Sequence, residues 1–247
     1  MKMQIASINL RIDVPVDGQR SWAYRKDSMI DFILHENFDI IGMQEAGPGM
    51  FKDLVDGLSH EYQLIYQGRD SRGEGTPIAV HKHLPILDKG TLWLTDTPFV
   101  ESTIKGSHFP RIVTYAKIGG SFPFYFFNTH LDYASDDVCH QQAEYLMKII
   151  QLINKDQLPY MITGDFNQYP DSRTISFLKE SHQTLYDAME VPPLTFHGFS
   201  DQIKGQPIDY IFLSDAWVIE GSNVHHHKKE SIYLSDHYPI SINVRKK

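Results

Sequence analysis

Short apolar runs bounded by turn residues dominate the chain, and they recur too irregularly for a repeated strand–helix–strand build. Residues 3–10, 39–43, 62–66, 78–81, 86–94, 111–118, 122–129, 160–163, 208–213, 217–219 and 240–244 have strand character, and several are rich in β-branched or aromatic side chains. Only two long stretches carry helical period. Residues 24–35 place Met29, Ile30, Ile33 and Leu34 on one face, and residues 136–154 place Leu146, Ile149, Ile150 and Ile153 likewise, behind the paired caps Asp136 and Asp137. A shorter helix is expected after Asp171, with Ile175 and Leu178 on one face. So many strands with so few helices predict two packed sheets covered by helices, an α/β (α+β) fold. No linker, repeat or low-complexity tract interrupts residues 1–247, so one domain is expected.

Composition narrows the partners. The formal net charge is -8, which offers no general attraction to phosphate polymers unless a local basic patch exists. Lys and Arg at 25, 26, 69, 72, 82 and 111 are the candidates for such a patch at one rim. The single cysteine, Cys139, excludes an intramolecular disulfide and a zinc–thiolate cluster. The opening MKMQIASINLRIDV lacks the apolar core of a signal peptide, and no run reaches transmembrane length. A cytoplasmic monomer is expected.

Polar residues cluster where the strands end. Asn9 follows Ile5 and Ile8; DIIGMQE ends in Glu45; FYFFNTHLD ends on Asn128, His130 and Asp132; MITGDFN ends on Asp165 and Asn167. Asp209 opens PIDYIFLS, and Asp236 with His237 precedes the last strand. Each has a bland local reading as a turn residue, a cap or a hydrogen-bonded core histidine. Those readings would have to hold at every one of these strand ends at once. Glu45, Asp165, Asp209 and Asp236 brought together would raise one another's pKa, and a divalent cation relieves that repulsion. Oxygen donors favour Mg2+ or Mn2+ over zinc. His130 and His237 add a proton donor or a positive charge for a phosphate oxyanion. The implied chemistry is metal-assisted phosphoester hydrolysis.

The stretches SINLR, GMQE, NTHLD, GDFN, IDYIF and SDH, in this order over nearly the whole chain, resemble the endonuclease/exonuclease/phosphatase superfamily. The resemblance implies a four-layer α-β-β-α sandwich like that of deoxyribonuclease I, with the active site at one rim. It also implies roles. Asn9 and Glu45 correspond to the principal metal site, Glu45 as direct ligand, and Asp236 to a further ligand or second-metal residue. Asp165 and Asn167 correspond to the pair that positions the attacking water and holds the phosphate. His237, fixed by Asp209, faces the phosphate, and His130 lies on the leaving-group side. The general base is shared between Asp165 and the Asp209–His237 pair. Glu74 is either a brace for His130 or a solvated loop acid, and Arg111 either a phosphate clamp or a surface strand residue.

The expected function is a Mg2+/Mn2+-dependent phosphoesterase acting on a small phosphodiester or phosphomonoester. The alternatives are a nucleic-acid endo- or exonuclease and, from another class, a non-catalytic phosphate-binding module. His225, His226 and His227 cannot all face one ion from a strand, and an exposed loop is expected there.

Overall fold

Parallel strand neighbours need a crossover connection, usually a helix, and this chain makes the move twice. The computed structural model describes residues 2–187, 189, 192–229 and 231–247. Strand β1 (Lys2–Asn9) crosses through α1 (Trp22–Glu36) to its parallel partner β2 (Ile40–Gln44). Strand β7 (Phe124–His130) crosses through α3 (Asp136–Ile153) to its parallel partner β8 (Tyr160–Asp165). Antiparallel strands extend both pairs. A 3-10 helix (Pro15–Arg20), α2 (Pro48–Leu58), β3 (Tyr62–Ile65), β4 (Ile78–His81), β5 (Ile86–Trp93), β6 (Ile112–Ile118), α4 (Arg173–Lys179), β9 (Gln183–Thr184), β10 (Asp209–Leu213), β11 (Trp217–Val224), β12 (Lys228–Lys229), β13 (Ile232–Tyr233) and β14 (Ile240–Lys246) complete the elements among the described residues. They form two six-stranded sheets, ordered β11-β14-β1-β2-β4-β3 and β5-β6-β7-β8-β10-β9, and a small β12-β13 hairpin.

The sheets pack face to face through their central strands, β1 and β2 against β7, β8 and β10. Strand alternation sorts the side chains. Met3 and Ile5 join the core shared with the second sheet, whereas Ala6, Ile8 and Leu10 pack on Met29, Phe32 and Ile33 of α1 and Leu54 and Leu58 of α2. Leu146 and Ile149 of α3, with Ile175 and Leu178 of α4, belong to the core of the second sheet. Two mixed sheets with helices outside make the expected sandwich. No helix among the described residues is long and apolar enough to cross a membrane.

Between the sheets runs a polar seam. Asn128 is fully buried, and its amide donates to Met43 O (2.6 Å) and Pro77 O (3.0 Å) of the opposite sheet. Its oxygen accepts from Gln44 Nε2 (2.7 Å) and Thr163 Oγ1 (3.0 Å), and Gln44 Nε2 also donates to Ser7 Oγ (3.1 Å). A Cβ at Gly42 would overlap Thr163 Oγ1 and Asn128 Oδ1, so glycine is what lets the sheets approach here.

Local expectations needed adjustment in places. Helix α3 is capped by Ser135, whose Oγ accepts from Val138 N (3.2 Å), while Asp136 and Asp137 lie in its first turn facing the positive end of the dipole. The histidine run is not wholly exposed. His225 is buried, its Nε2 lies 2.8 Å from Ser241 Oγ, and its ring packs edge-on against Phe32 and Phe38, leaving His226 and His227 outside.

Replacing Asn128 with Ala strands the buried partners it now satisfies, so the Asn128→Ala variant should lose at least about 2 kcal/mol of stability in urea unfolding. A variant within about 0.5 kcal/mol of wild type, the range of an ordinary surface substitution, would contradict a structural role for the seam.

Candidate active site

Strand parity decides which side chains can meet. Asn9, two residues beyond Ser7, falls on the face of β1 that looks toward the second sheet, and Asp165 falls on the facing side of β8 with Thr163. Register then aligns their neighbours. Asp165 is paired with His130 of β7 on one side and with Asp209 of β10 on the other. One rung of the second sheet thus carries an imidazole and two carboxylates, all at most 6% exposed.

Asn9 joins that rung to the first sheet. Its Nδ2 donates to Asp165 Oδ2 (2.9 Å) and to Glu45 Oε1 (3.0 Å), and its oxygen accepts from Arg11 N (2.9 Å). The backbone N–H of Arg11 fixes the amide orientation, so Asn9 presents hydrogens, not oxygen, to the carboxylates. Glu45 sits just past β2, and its other oxygen accepts from Ile12 N (2.8 Å). Arg11 (φ 57°), Glu45 (φ 60°) and Asn167 (φ 51°) all adopt left-handed backbone. Asparagine tolerates this conformation; arginine and glutamate adopt it at a cost of order 1 kcal/mol each. Strain of this kind concentrates at functional sites.

His237 faces Asp165 from the chain's last turn. Its Nδ1 lies 2.8 Å from Asp209 Oδ2, which leaves Nε2 at 3.7 Å from Asp165 Oδ2. Asp209 is itself held by its N–H donating to Thr195 Oγ1 (3.2 Å). Burial disfavours charge on His237, but Asp209 and Asp165 outweigh it and raise its pKa, favouring the imidazolium. Burial also raises Asp165, and Asp209 adds to this against the opposing pull of His237, to about 7. Both shifts have one meaning: near neutrality the trio retains a proton that isolated side chains would release.

His130 behaves in the opposite way. Burial, then Arg111 and Arg69, push its pKa well down, so it is neutral. Asn167 Nδ2 donates to Leu131 O (3.0 Å), an obligate acceptor, and lies 3.1 Å from His130 Nε2. That assigns the lone pair of His130 to Nε2 and its hydrogen to Nδ1, which has no partner. Asn167 N closes a turn onto Asp165 Oδ1 (2.9 Å).

Ligand atoms of Glu45, His130 and Asp165 lie within 4.8 Å of one another, as do those of Asp165, Asp209 and His237. Crowded carboxylates, one with a raised pKa, are a donor set that fits a hard divalent cation. Asp236 belongs to neither group. Its carboxylate lies 3.7 Å from Arg11 Nε, and burial raises its pKa.

Glu74 differs from both of its expected readings, and Arg111 from one of its two. Glu74 does not hydrogen-bond His130 and is not a solvated acid; it forms a two-point pair with Arg69, at 2.7 and 2.8 Å. Arg111 is 3% exposed, so it is not a surface residue, and its Nε donates to Asp132 Oδ2 (3.3 Å) while Nη1 has no partner. Asp132, a strand-end acid in the sequence, is an anchor. It is fully buried and accepts from Ser107 Oγ, the N–H groups of His108, Phe109, Tyr133 and Ala134, and Arg111. Burial would raise its pKa, but Arg111 and these donors outweigh it and hold it down.

Of the basic residues, Arg69, Arg72 and Arg111 gather around the Phe109 ring, their guanidinium carbons at 4.4, 5.1 and 5.5 Å from its centre. Arg25 is instead buried and donates to Arg20 O, Leu10 O, Leu234 O and Arg11 O, tying loops together, and Lys26 pairs with Asp53. Sequence reading also passed over Phe196. It is 46% exposed, and its ring centre lies 4.9 Å from that of His237. An aromatic residue in a turn-rich segment gave no periodic signal that could mark it.

Known proteins share this architecture. The solved structure of an endonuclease/exonuclease/phosphatase from Bacteroides vulgatus is 29% identical, with each chain covered in full and a TM-score of 0.91. A mannosyl-6-phosphatase from Bacteroides thetaiotaomicron is 26% identical, with 98% of this chain and 99% of that one covered and a TM-score of 0.88. An Arabidopsis thaliana protein described as an uncharacterized calcium-binding protein is 24% identical over 66% of this chain, which spans 37% of that relative's length. The family model described as Endonuclease/Exonuclease/phosphatase family matches residues 9–237, which run from Asn9 to His237. The chain belongs to the Endonuclease/Exonuclease/phosphatase family and is a hydrolase acting on phosphoric ester bonds.

Proposed function

We propose that the chain is a Mg2+- or Mn2+-dependent phosphoesterase whose substrate is a small phosphate ester, working as one domain. The observation that carries this reading is the His130–Asp165–Asp209 rung with Glu45 and His237 against it. In it Glu45 and Asp165 hold the cation, Asn9 steers both carboxylates, and Asp236 adds negative charge behind them. The bound cation supplies Lewis-acid polarisation of the phosphoryl group and a more acidic water. Asp165 and Asn167 orient the attacking water, with the proton taken by Asp165 while His237 is the imidazolium, or by the Asp209–His237 pair when His237 is neutral. The imidazolium of His237 donates to a phosphate oxygen. His130 stands on the leaving-group side, and Arg111, held by Asp132, adds positive charge near the phosphate.

A small substrate is supported by the near full-length likeness to a sugar phosphatase and by the net charge of -8. A second reading, hydrolysis of a nucleic-acid phosphodiester, is favoured by one observation: the three guanidiniums around Phe109, which suit additional phosphates.

EDTA should abolish hydrolysis and Mg2+ or Mn2+ should restore it; full activity in metal-free buffer would contradict the proposal. His237→Ala and Asp165→Asn should each lower kcat at least about a hundredfold at saturating metal. Near wild-type kcat in either variant, with native circular dichroism, would overturn its assigned role.

Substrate size separates the two readings. For a small ester, kcat/KM should depend weakly on salt and gain little beyond about three or four nucleotides, short of a typical single-strand groove. For a polymer, log affinity should fall by about 0.7–0.9 per phosphate contact per log unit of salt, and efficiency should still rise at about ten nucleotides. That second outcome would displace the small-substrate reading.

A further inference from the structure

The end of the first sheet remote from the rim holds a second constellation of histidines and carboxylates. Gly42 pairs with Ile78 and Ile40 with Val80, so His81 at the end of β4 lies beyond the entry to β2, opposite Glu45. The turn that follows is tightly built: His81 N donates to Asp39 O, Lys82 N to Glu61 O and Leu84 N to His81 O, each at 2.9 Å. It brings His83 back over His81 until their Nδ1 atoms are 2.6 Å apart.

An acid lies near the other nitrogen of each ring, within hydrogen-bond distance at His83 alone. His83 Nε2 lies 2.9 Å from Asp39 Oδ1, and His81 Nε2 lies 3.6 Å from Glu61 Oε2. Asp39 is fixed in turn, because its second oxygen accepts from Gln4 N at 2.6 Å. The Asp39 carboxylate holds the hydrogen of His83 on Nε2 and leaves its lone pair on Nδ1, and His83 N, donating to His81 Nδ1 at 3.3 Å, faces a lone pair there too. Two such lone pairs repel at this separation unless a proton or a metal cation lies between them. Histidines that ligate metals characteristically donate their other N–H to a carboxylate, which fixes the tautomer and raises the basicity of the ligating nitrogen. That arrangement is complete at His83; at His81 the lone pair on Nδ1 is fixed instead by the backbone N–H of His83, which donates to it.

We propose that His81 and His83 are a chelating pair for a late first-row divalent transition-metal ion (Zn2+, Ni2+ or Cu2+), separate from the hydrolytic centre. Imidazole nitrogen suits these ions, whereas Mg2+ prefers oxygen. Metal–nitrogen bonds of about 2.0–2.1 Å, meeting at a right angle in tetragonal sites or at about 109° in tetrahedral ones, set the two nitrogens about 2.9–3.3 Å apart. The rings therefore need to part by about 0.3–0.7 Å, and the His83 side chain, 52% exposed, is free to move. Solvent reaches the remaining coordination positions. The ion clamps three segments that now meet through backbone hydrogen bonds: the entry to β2, the start of edge strand β3 and the exit of β4.

The test titrates Zn2+ calorimetrically into the full chain with Mg2+ at saturation. Wild type should bind one more equivalent than His83→Ala or His81→Gln, and Asp39→Asn should bind it about 10- to 100-fold more weakly. Zn2+ at a hundredfold excess over its Kd should raise Tm by about 5 °C in wild type and not in His83→Ala. Mg2+-dependent hydrolysis should be unchanged in all of these variants. The Cu2+-loaded chain should show a two-nitrogen electron paramagnetic resonance signal that His83→Ala removes. Equal Zn2+ stoichiometry and affinity in wild type and in both histidine variants, or a Cu2+ spectrum insensitive to either substitution, would overturn the assignment.

Discussion

A carboxylate buried at the junction of two sheets is the constraint around which this molecule is arranged. Asp165 is 1% exposed, lies opposite Asp209 on its own rung and accepts a hydrogen bond from Asn9 across the sandwich. Buried like charges of this kind are tolerated only with compensation. Here it comes from three directions: the amide of Asn9, the backbone N–H of Asn167 and the imidazolium of His237. In the proposed reaction the side chains of these same residues also act on the phosphate ester or its attacking water. Hydrolytic competence and electrostatic necessity therefore draw on the same side chains.

That arrangement needs the two sheets to approach closely and in one register. The Asn128 seam supplies this, with Gly42 leaving room for it and Gln44 bridging to Ser7. A one-residue slip of either central strand would turn Asn9 or Asp165 away from the interface. Polar groups that pair only in one alignment penalise such a slip far more than apolar side chains would. The left-handed backbone at Arg11 and Glu45 shows where the chain departs from regular strand geometry to aim a side chain at the rim.

Much of this was legible in the sequence, for identifiable reasons. Strands reveal themselves by apolar runs, and each polar residue that ended such a run was visible as an exception to the pattern. Asn9, Glu45, His130, Asp165, Asp209 and His237 stand out on that ground, and parity plus register brings them together. What escaped were pairings between segments far apart in the chain. Nothing near Glu74 announces that Arg69 holds it, and Arg111 gives no sign that Asp132 holds it in the interior. Asp132 looked like its neighbours at strand ends, yet it anchors a loop, because only tertiary structure shows how many donors converge on it. Phe196 and the His81–His83 contact come from loop conformations that periodicity does not encode.

The central claim, that Asp165 is a carboxylate under electrostatic stress which a divalent cation relieves, can be measured on the carboxyl group directly. Carbon-13 NMR titration of the aspartate side chains, with Asp165→Asn to assign the signal, reads its protonation with and without Mg2+. In metal-free protein one aspartate should titrate near pH 7, and saturating Mg2+ should move that midpoint down toward or below the ordinary carboxylate range. If the Asp165 carboxyl titrates below about pH 4 without metal, as an unperturbed aspartate does, or is unmoved by Mg2+, the account is contradicted.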